Sequence, residues 1–394
     1  MISRLPLWVP LFAGACSPPP IDAFTQVDVT VVDSSSAVHE AFDRVYDEAQ
    51  YELQVALPGA IDPASYEGIL DAMDRGVDVE VVTDVDQATN AGFQQLELAG
   101  VPVVYADHDI GYFDFALGVD VAWTSDMVIM SHAFAMADRT HVIAANTAGG
   151  VTDGAHVLID ATGEDLLDDL WMEFNQVAGG TDAAELTEYS GMAKSVTDYR
   201  WAYPTDDEQI LELWFGPQER LLKRVIDGVY NARSSVYLLT DDLSDEGLAR
   251  ALQSKASHGF DVQVIVGPNF GSGAESLSAI LRDETPAVDK RQVTTGAVPT
   301  IALFDTELAR DDRYHRPRGM VLTHDLVSAS RLRENVENVD YDGDGEVEAY
   351  VPTVTDQYID GALWVLTDFD QPDGDLETLI QAFEEHRDVA EELP

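Results

Sequence analysis

Gly76-Val77-Asp78-Val79-Glu80-Val81-Val82 returns later in the chain as Gly259-Phe260-Asp261-Val262-Gln263-Val264-Ile265, at an offset of 259 − 76 = 183. Each stretch has a glycine suited to end a helix, followed by apolar residues at alternate positions, the pattern of a half-buried strand. The segments upstream repeat as well. Val27–Val32 reads as a strand, Ala37–Ala49 as a helix with Val38, Phe42, Val45 and Tyr46 on one face, and Tyr51–Leu57 as the next strand. Another helix follows Pro63 and leads to Gly76. In the second copy Ile210–Phe215, Leu221–Tyr230 and Val236–Leu239 take the same parts, and a helix ends at Gly259. Tyr46 and Tyr230, in matching helices, are 230 − 46 = 184 apart. A period this long means a duplicated domain, since solenoid repeats run about 20 to 50 residues. The order predicts an α/β protein of two tandem halves, each a mixed, largely parallel sheet flanked by helices. The halves are expected at 27–178 and 208–394, joined by a polar linker at 179–207 that holds two adjacent glycines and few aliphatics.

The charge balance narrows the choice of partners. With 73 acidic and 22 basic residues the net charge is −51, and only four basic residues are lysine, Lys194, Lys223, Lys255 and Lys290. Such a surface repels phosphate backbones and anionic headgroups at long range, so no nucleic-acid partner is expected. The carboxylates are spread along the chain, which suits a solvated surface adapted to salt or divalent cations better than a docking site for one cationic partner. A hydrophobic fraction of 45% is that of a chain that folds.

The N-terminus reads as an export signal. Arg4 precedes a short apolar run, Leu5 to Ala15, too short to span a bilayer, and Ala13-Gly14-Ala15-Cys16 resembles a bacterial lipobox. Residues 1–16 are thus expected to form the signal with Cys16 as the lipidated residue, and 17–26, with Pro18, Pro19 and Pro20, a stiff tether. An ordinary cleaved signal is the alternative. The reading places the protein in the cell envelope, touching a membrane only through its lipid. Cys16 is the one cysteine, so no intramolecular disulfide is possible.

The duplicated layout, with the turn His258-Gly259-Phe260-Asp261-Val262-Gln263-Val264-Ile265-Val266-Gly267-Pro268, resembles the phospholipase D superfamily. The resemblance implies that each half offers His-x-Lys-x4-Asp on a strand and the turn after it, and that the two motifs face each other. One His would attack phosphorus, the other would protonate the leaving group, and the lysines would neutralise the phosphoryl charge. In the first half the matching segment runs Ser131-His132-Ala133-Phe134-Ala135-Met136-Ala137-Asp138, which keeps Asp138 but has Ser131 and Ala133 at the His and Lys positions. In the second half the segment is read as Arg316 to Thr323, with Arg316, Arg318 and Thr323 in place of His, Lys and Asp. No register restores a lysine, because none of the four precedes the linker or follows residue 290. Losing one oriented cation at a phosphoryl centre costs about 100- to 1000-fold in rate.

One pair of residues points the other way. His132 and His315 are 315 − 132 = 183 apart, the offset of the repeat. As equivalent residues they could form a rearranged nucleophile and acid, with Arg316 or Arg318 supplying charge. Against this, a one-residue shift along a strand turns a side chain to the other face.

Asp340-Tyr341-Asp342-Gly343-Asp344-Gly345-Glu346-Val347-Glu348 has the alternating carboxylates of a calcium loop. It departs from an EF-hand at position 12, where Val351 stands in place of Glu. A structural calcium held by Asp340, Asp342, Asp344, Glu346 and Glu348 is the expectation, with a plain acidic turn as the alternative. Taken together, the sequence favours a monomeric pseudoenzyme that binds an unidentified ligand or protein partner between its halves. The alternatives are an active phosphodiesterase built on His132 and His315, or a calcium-stiffened structural protein.

Overall fold

Helix starts follow from short polar side chains placed just before apolar stripes. Ser34 accepts a hydrogen bond from the Ala37 N–H and opens α1 (Ser35–Glu48), whose Val38, Phe42, Val45 and Tyr46 are buried. Asp62 caps α2 (Pro63–Asp74) through the N–H groups of Ala64 and Ser65, and Pro63 sits in the first turn, where its missing N–H costs nothing. Helix α3 is Ala91–Ala99, α4 Glu164–Val177 and α5 Leu221–Asn231. Asp245 caps α6 (Glu246–Ser257) through Leu248, and α7 is Gly374–Val389. The computed structural model of the chain describes residues 25–114, 119–123, 128–146, 154–178, 189–193, 202–205, 209–216, 221–268, 270, 288–306, 316–326, 336–339, 349–352, 358–369, 372 and 374–393.

The repeat is real at the level of hydrogen bonds. Gly76 and Gly259 both adopt left-handed backbone, φ 88° and 87°. The next residue closes each helix the same way, Val77 N–H to Ala72 O at 3.2 Å and Phe260 N–H to Lys255 O at 3.3 Å. Both turns lead into a strand, Asp78–Asp84 and Asp261–Val266, parallel to its predecessor, Glu52–Leu57 and Ser235–Thr240.

Across the first sheet the order is Gln26–Val32, His156–Thr162, His141–Ala145, Phe134–Ala137, Glu52–Leu57, Asp78–Asp84, Val103–Asp114 and Tyr189–Ala193, with Val119–Trp123 paired to Val103–Asp114. The second runs Ala202–Pro204, Ile210–Phe215, Ala362–Thr367, Arg318–Leu322, Thr300–Phe304, Ser235–Thr240, Asp261–Val266, Val288–Gln292 and Glu391–Glu392. Each is mixed: Glu52–Leu57 and Ser235–Thr240 pair in parallel with the strand on one side and antiparallel with the strand on the other. Two pieces of the expected linker are therefore edge strands, Tyr189–Ala193 on the first sheet and Ala202–Pro204 on the second.

Three cores set the layers. One packs α1, α2 and α3 on the outer face of the first sheet, and a second packs α5 and α6 on the outer face of the second. The largest lies between the sheets and takes in Leu166, Leu170 and Phe174 of α4 with Leu376, Leu379 and Phe383 of α7. It joins the inner faces of both halves, Val29 and Phe134 with Leu213 and Trp364. Hydrogen bonds cross the same layer: Val29 N–H donates to Asp375 at 2.7 Å, and the Tyr203 hydroxyl donates to Asp169. Tyr358–Asp360 also pairs in parallel with Val128–Met130. No helix among the described residues is long and apolar enough to cross a membrane.

Candidate functional site at the seam between the halves

Asp138 follows the strand Phe134–Ala137 in left-handed backbone, φ 51°, and its carboxylate accepts from the N–H groups of Gln50, Tyr51 and Glu52 at 3.0, 2.7 and 2.9 Å. Asp305 follows Thr300–Phe304 with φ 57° and accepts from Arg233 and Ser234 at 2.7 Å and from Ser235 at 3.4 Å. The backbone bonds match too, Asp138 N–H to Glu52 O and Asp305 N–H to Ser235 O. Asp305, not Thr323, is thus the counterpart of Asp138. Counting back seven and five residues puts Ser131 and Val298 at the His positions, and Ala133 and Thr300 at the Lys positions.

This corrects the register read from sequence for Arg316, Arg318 and Thr323. Arg318–Leu322 is the neighbouring strand, antiparallel to Thr300–Phe304 and equivalent to His141–Ala145. The cause is unequal loop length. The first half spends more residues between its third parallel strand and its motif, so the offset falls from 183 to 305 − 138 = 167. His132 therefore corresponds to Pro299, and the 183 spacing of His132 and His315 is fortuitous; His315 itself lies outside the described residues. A signal was present in the sequence, since four apolar residues and an aspartate recur as Phe134-Ala135-Met136-Ala137-Asp138 and Ile301-Ala302-Leu303-Phe304-Asp305.

At the seam the side chains are packed against one another. Ser131 and Thr323 share a hydrogen bond of 3.1 Å across the halves, and Thr323 Oγ1 also accepts from the Ala362 N–H at 3.0 Å. Gly361 presses so close that a Cβ there would stand 2.3 Å from Ser131 Oγ and 2.4 Å from Thr323 Oγ1. His132 is 1% exposed, with Nε2 3.0 Å from an oxygen of Glu173, itself 1% exposed. Phe134 and Phe215 flank its ring, with centroids 6.2 and 6.1 Å away. From the second half comes His324, also buried, whose Nδ1 donates to the Asp325 carbonyl at 2.9 Å. Sequence reasoning missed His324, Glu173 and Asp325.

Electrostatics at the second lysine position run opposite to phosphoryl chemistry. Thr300 donates to Asp325 at 3.2 Å, as do Thr240 at 3.3 Å and the Asp241 N–H at 3.2 Å. Burial, reinforced by Asp241, pushes the Asp325 carboxyl up to about 6. A carboxylate therefore stands beside the place where the family motif would put an ammonium group. No cluster of His, Cys, Asp or Glu suited to a metal ion occurs among the described residues.

Arg316 and Arg318 lie elsewhere. Arg318 pairs with Phe304, at the Asp305 end of its strand, whereas Thr323 follows the opposite end. Five residues at about 3.3 Å each separate them by about 16 Å, too far for either arginine to serve Ser131 or His132. The calcium-loop residues Asp340, Asp342, Asp344, Glu346 and Glu348, and Cys16, lie outside the described residues.

No protein-family model matches the sequence, and no curated protein matches it. Solved structures do. Phosphatidylserine synthase from Haemophilus influenzae superposes with TM-score 0.60 at 11% identity, over 94% of this chain and 90% of its own. Polyphosphate kinase from Porphyromonas gingivalis superposes with TM-score 0.53 at 11% identity, over 92% of this chain, which spans half of the kinase. Both are built on the phospholipase D fold. At this identity the likeness speaks for architecture alone, and the layer order, the duplicated strand-helix-strand unit and the two capping aspartates agree with it: the chain has the phospholipase D fold, as two tandem mixed-sheet halves.

Proposed function

We propose that this protein is a catalytically silent version of the phospholipase D fold, in which the seam that would hold the reacting phosphoryl group serves to join the halves. The observation that carries the reading is the contrast within the motif. Both scaffolding aspartates are kept as backbone caps, while the four positions for His and Lys hold Ser131, Ala133, Val298 and Thr300. A serine can act as nucleophile, but the Ser131 hydroxyl is engaged with Thr323, and the second lysine position, Thr300, stands beside Asp325 where a cation is needed. The synthase and kinase activities named for the two similar structures are not carried over to this chain.

One observation favours the competing reading of residual hydrolysis. A buried imidazole oriented by a carboxylate, as His132 is by Glu173, is an arrangement that can activate a base. His132 lacks access, however, at 1% exposure and with phenyl rings beside it. Steady-state hydrolysis of bis(p-nitrophenyl) phosphate and of phosphatidylcholine vesicles decides between the two. The silent reading expects rates equal to buffer, and turnover that falls on His132→Ala or Ser131→Ala would refute it.

A further inference from the structure

We propose that the second half carries a binding pocket for a small phosphate-class oxyanion, at the end of its sheet remote from the seam. The cavity there has a volume of about 320 Å³, and Arg233, Arg316 and Arg318 line it together with Asn231, Phe304 and Asp305. Three guanidinium groups against one carboxylate leave the lining with a charge of 3 − 1 = +2. In a chain of net charge −51, with 22 basic residues in all, such a concentration is a local reversal of sign.

The pseudo-symmetry supplies an internal control. Arg318 occupies the position of His141, since Phe304↔Arg318 and Ala137↔His141 are equivalent strand pairs. In the first half this basic side chain is clamped between Glu48 at 2.7 Å and Asp160 at 2.8 Å. Counted through the repeat, Glu48 becomes Asn231, the last residue of its helix, and by strand register Asp160 becomes Val365. Both neutralising carboxylates are thus replaced by uncharged residues. Neither Arg316 nor Arg318 forms an ion pair with a described carboxylate, and Arg316 lies 5.3 Å over the Phe369 ring.

The pocket's own carboxylate is occupied. Asp305 Oδ1 accepts from the N–H groups of Arg233 and Ser234 at 2.7 Å and from the Ser234 hydroxyl at 3.0 Å, so its lone pairs are already engaged by these donors. The Arg316 and Arg318 guanidinium forks, with no ion-pair partner among the described carboxylates, match the paired oxygens of a tetrahedral oxyanion, and an excess of cations over carboxylates in the lining raises the local anion concentration. The volume holds a phosphate with room for a small organic substituent, so free phosphate and a phosphate monoester are both admitted by the same chemistry.

Isothermal titration calorimetry of the full chain at low ionic strength, with inorganic phosphate in one arm and glycerol 3-phosphate in the other, tests the site. Saturable one-site binding of at least one of them is expected, weakened by about tenfold or more in the double variant Arg316→Gln/Arg318→Gln. Arg250→Gln, which removes an exposed guanidinium paired with Glu246, should leave the affinity unchanged. Tighter binding of the monoester assigns the source to a phosphorylated organic molecule, and equal binding to the free ion. Absence of saturable heat in both arms, or equal affinity in the double variant with an unchanged melting temperature, would overturn the proposal. Neither outcome bears on the seam, which these arginines do not reach.

Discussion

Replacing His132 by leucine is the perturbation that most sharply separates a structural from a catalytic role. The imidazole and the Glu173 carboxylate meet at 3.0 Å where each is 1% exposed, so the substitution leaves a carboxylate in the core without its imidazole. Breaking a buried pair from one side costs about 3 to 5 kcal/mol, because the surviving charge keeps its desolvation penalty. Lost ring contacts with Phe134 and Phe215 add about 0.5 to 1.5 kcal/mol, which leucine packing partly offsets. Adding Glu173→Gln removes the carboxylate that faced the imidazole and keeps a hydrogen-bonding amide. The double variant should therefore recover about 2 kcal/mol over the single one, a coupling that only neighbours in contact show. Urea unfolding followed by tryptophan fluorescence reads this as a lower midpoint at unchanged slope. A single variant within about 1 kcal/mol of the parent, or a double variant no better than the single, would refute the structural role assigned to the pair.

Further expectations follow from the same contacts. Gly361→Ala would drive a methyl group into Ser131 and Thr323, and overpacking of this kind costs about 1 to 3 kcal/mol, read as a fall in melting temperature. The Asp325 carboxyl is raised from 3.8 to about 6 in the folded state, so the folded chain binds that proton more tightly than the unfolded one. Its burial therefore destabilises fully above about pH 6, and the penalty fades as pH falls toward 3.8. Asp325→Asn should accordingly raise the unfolding free energy at pH 7 by at most about 3 kcal/mol, read as a higher urea midpoint, and leave it nearly unchanged near pH 4. His141 is shifted upward, chiefly by its hydrogen bond to Asp160, so its contribution is complete below the ordinary histidine range and lost as pH rises through the folded value. His141→Gln should then cost about 0.5 to 1 kcal/mol at pH 5.5, after allowance for its partial exposure, and nearly nothing at pH 9.

The fold was legible where local periodicity and the repeat agreed. Gly76 and Gly259 announced two helix-to-strand turns, and in both the glycine N–H and the N–H of the residue after it close the helix in the same way. The strand Ile210–Phe215 begins and ends where its apolar run does. Legibility failed at the second motif, because register was carried by a fixed offset across a segment where the halves differ in loop length. Asp305 could have been found from its chemistry instead: an aspartate after a run of four apolar residues, able to cap the neighbouring strand start in left-handed backbone. The seam was beyond sequence reasoning for a different reason. Ser131 with Thr323 and His132 with Glu173 are pairs of high sequence separation, brought together by how two sheets pack against α4 and α7, and no local pattern encodes them. Within the expected linker, Tyr189–Ala193 and Ala202–Pro204 pair as edge strands, and five and three residues are too few to show a periodic pattern in the sequence.

A silent seam holds no working nucleophile, and covalent trapping tests that without relying on turnover. Protein incubated with a radiolabelled phosphodiester and quenched within milliseconds to minutes should carry no acid-stable or base-stable phosphoryl label above that of heat-denatured protein. A labelled phosphohistidine or phosphoserine mapped to His132, His324 or Ser131, and lost on substitution of that residue, would contradict it.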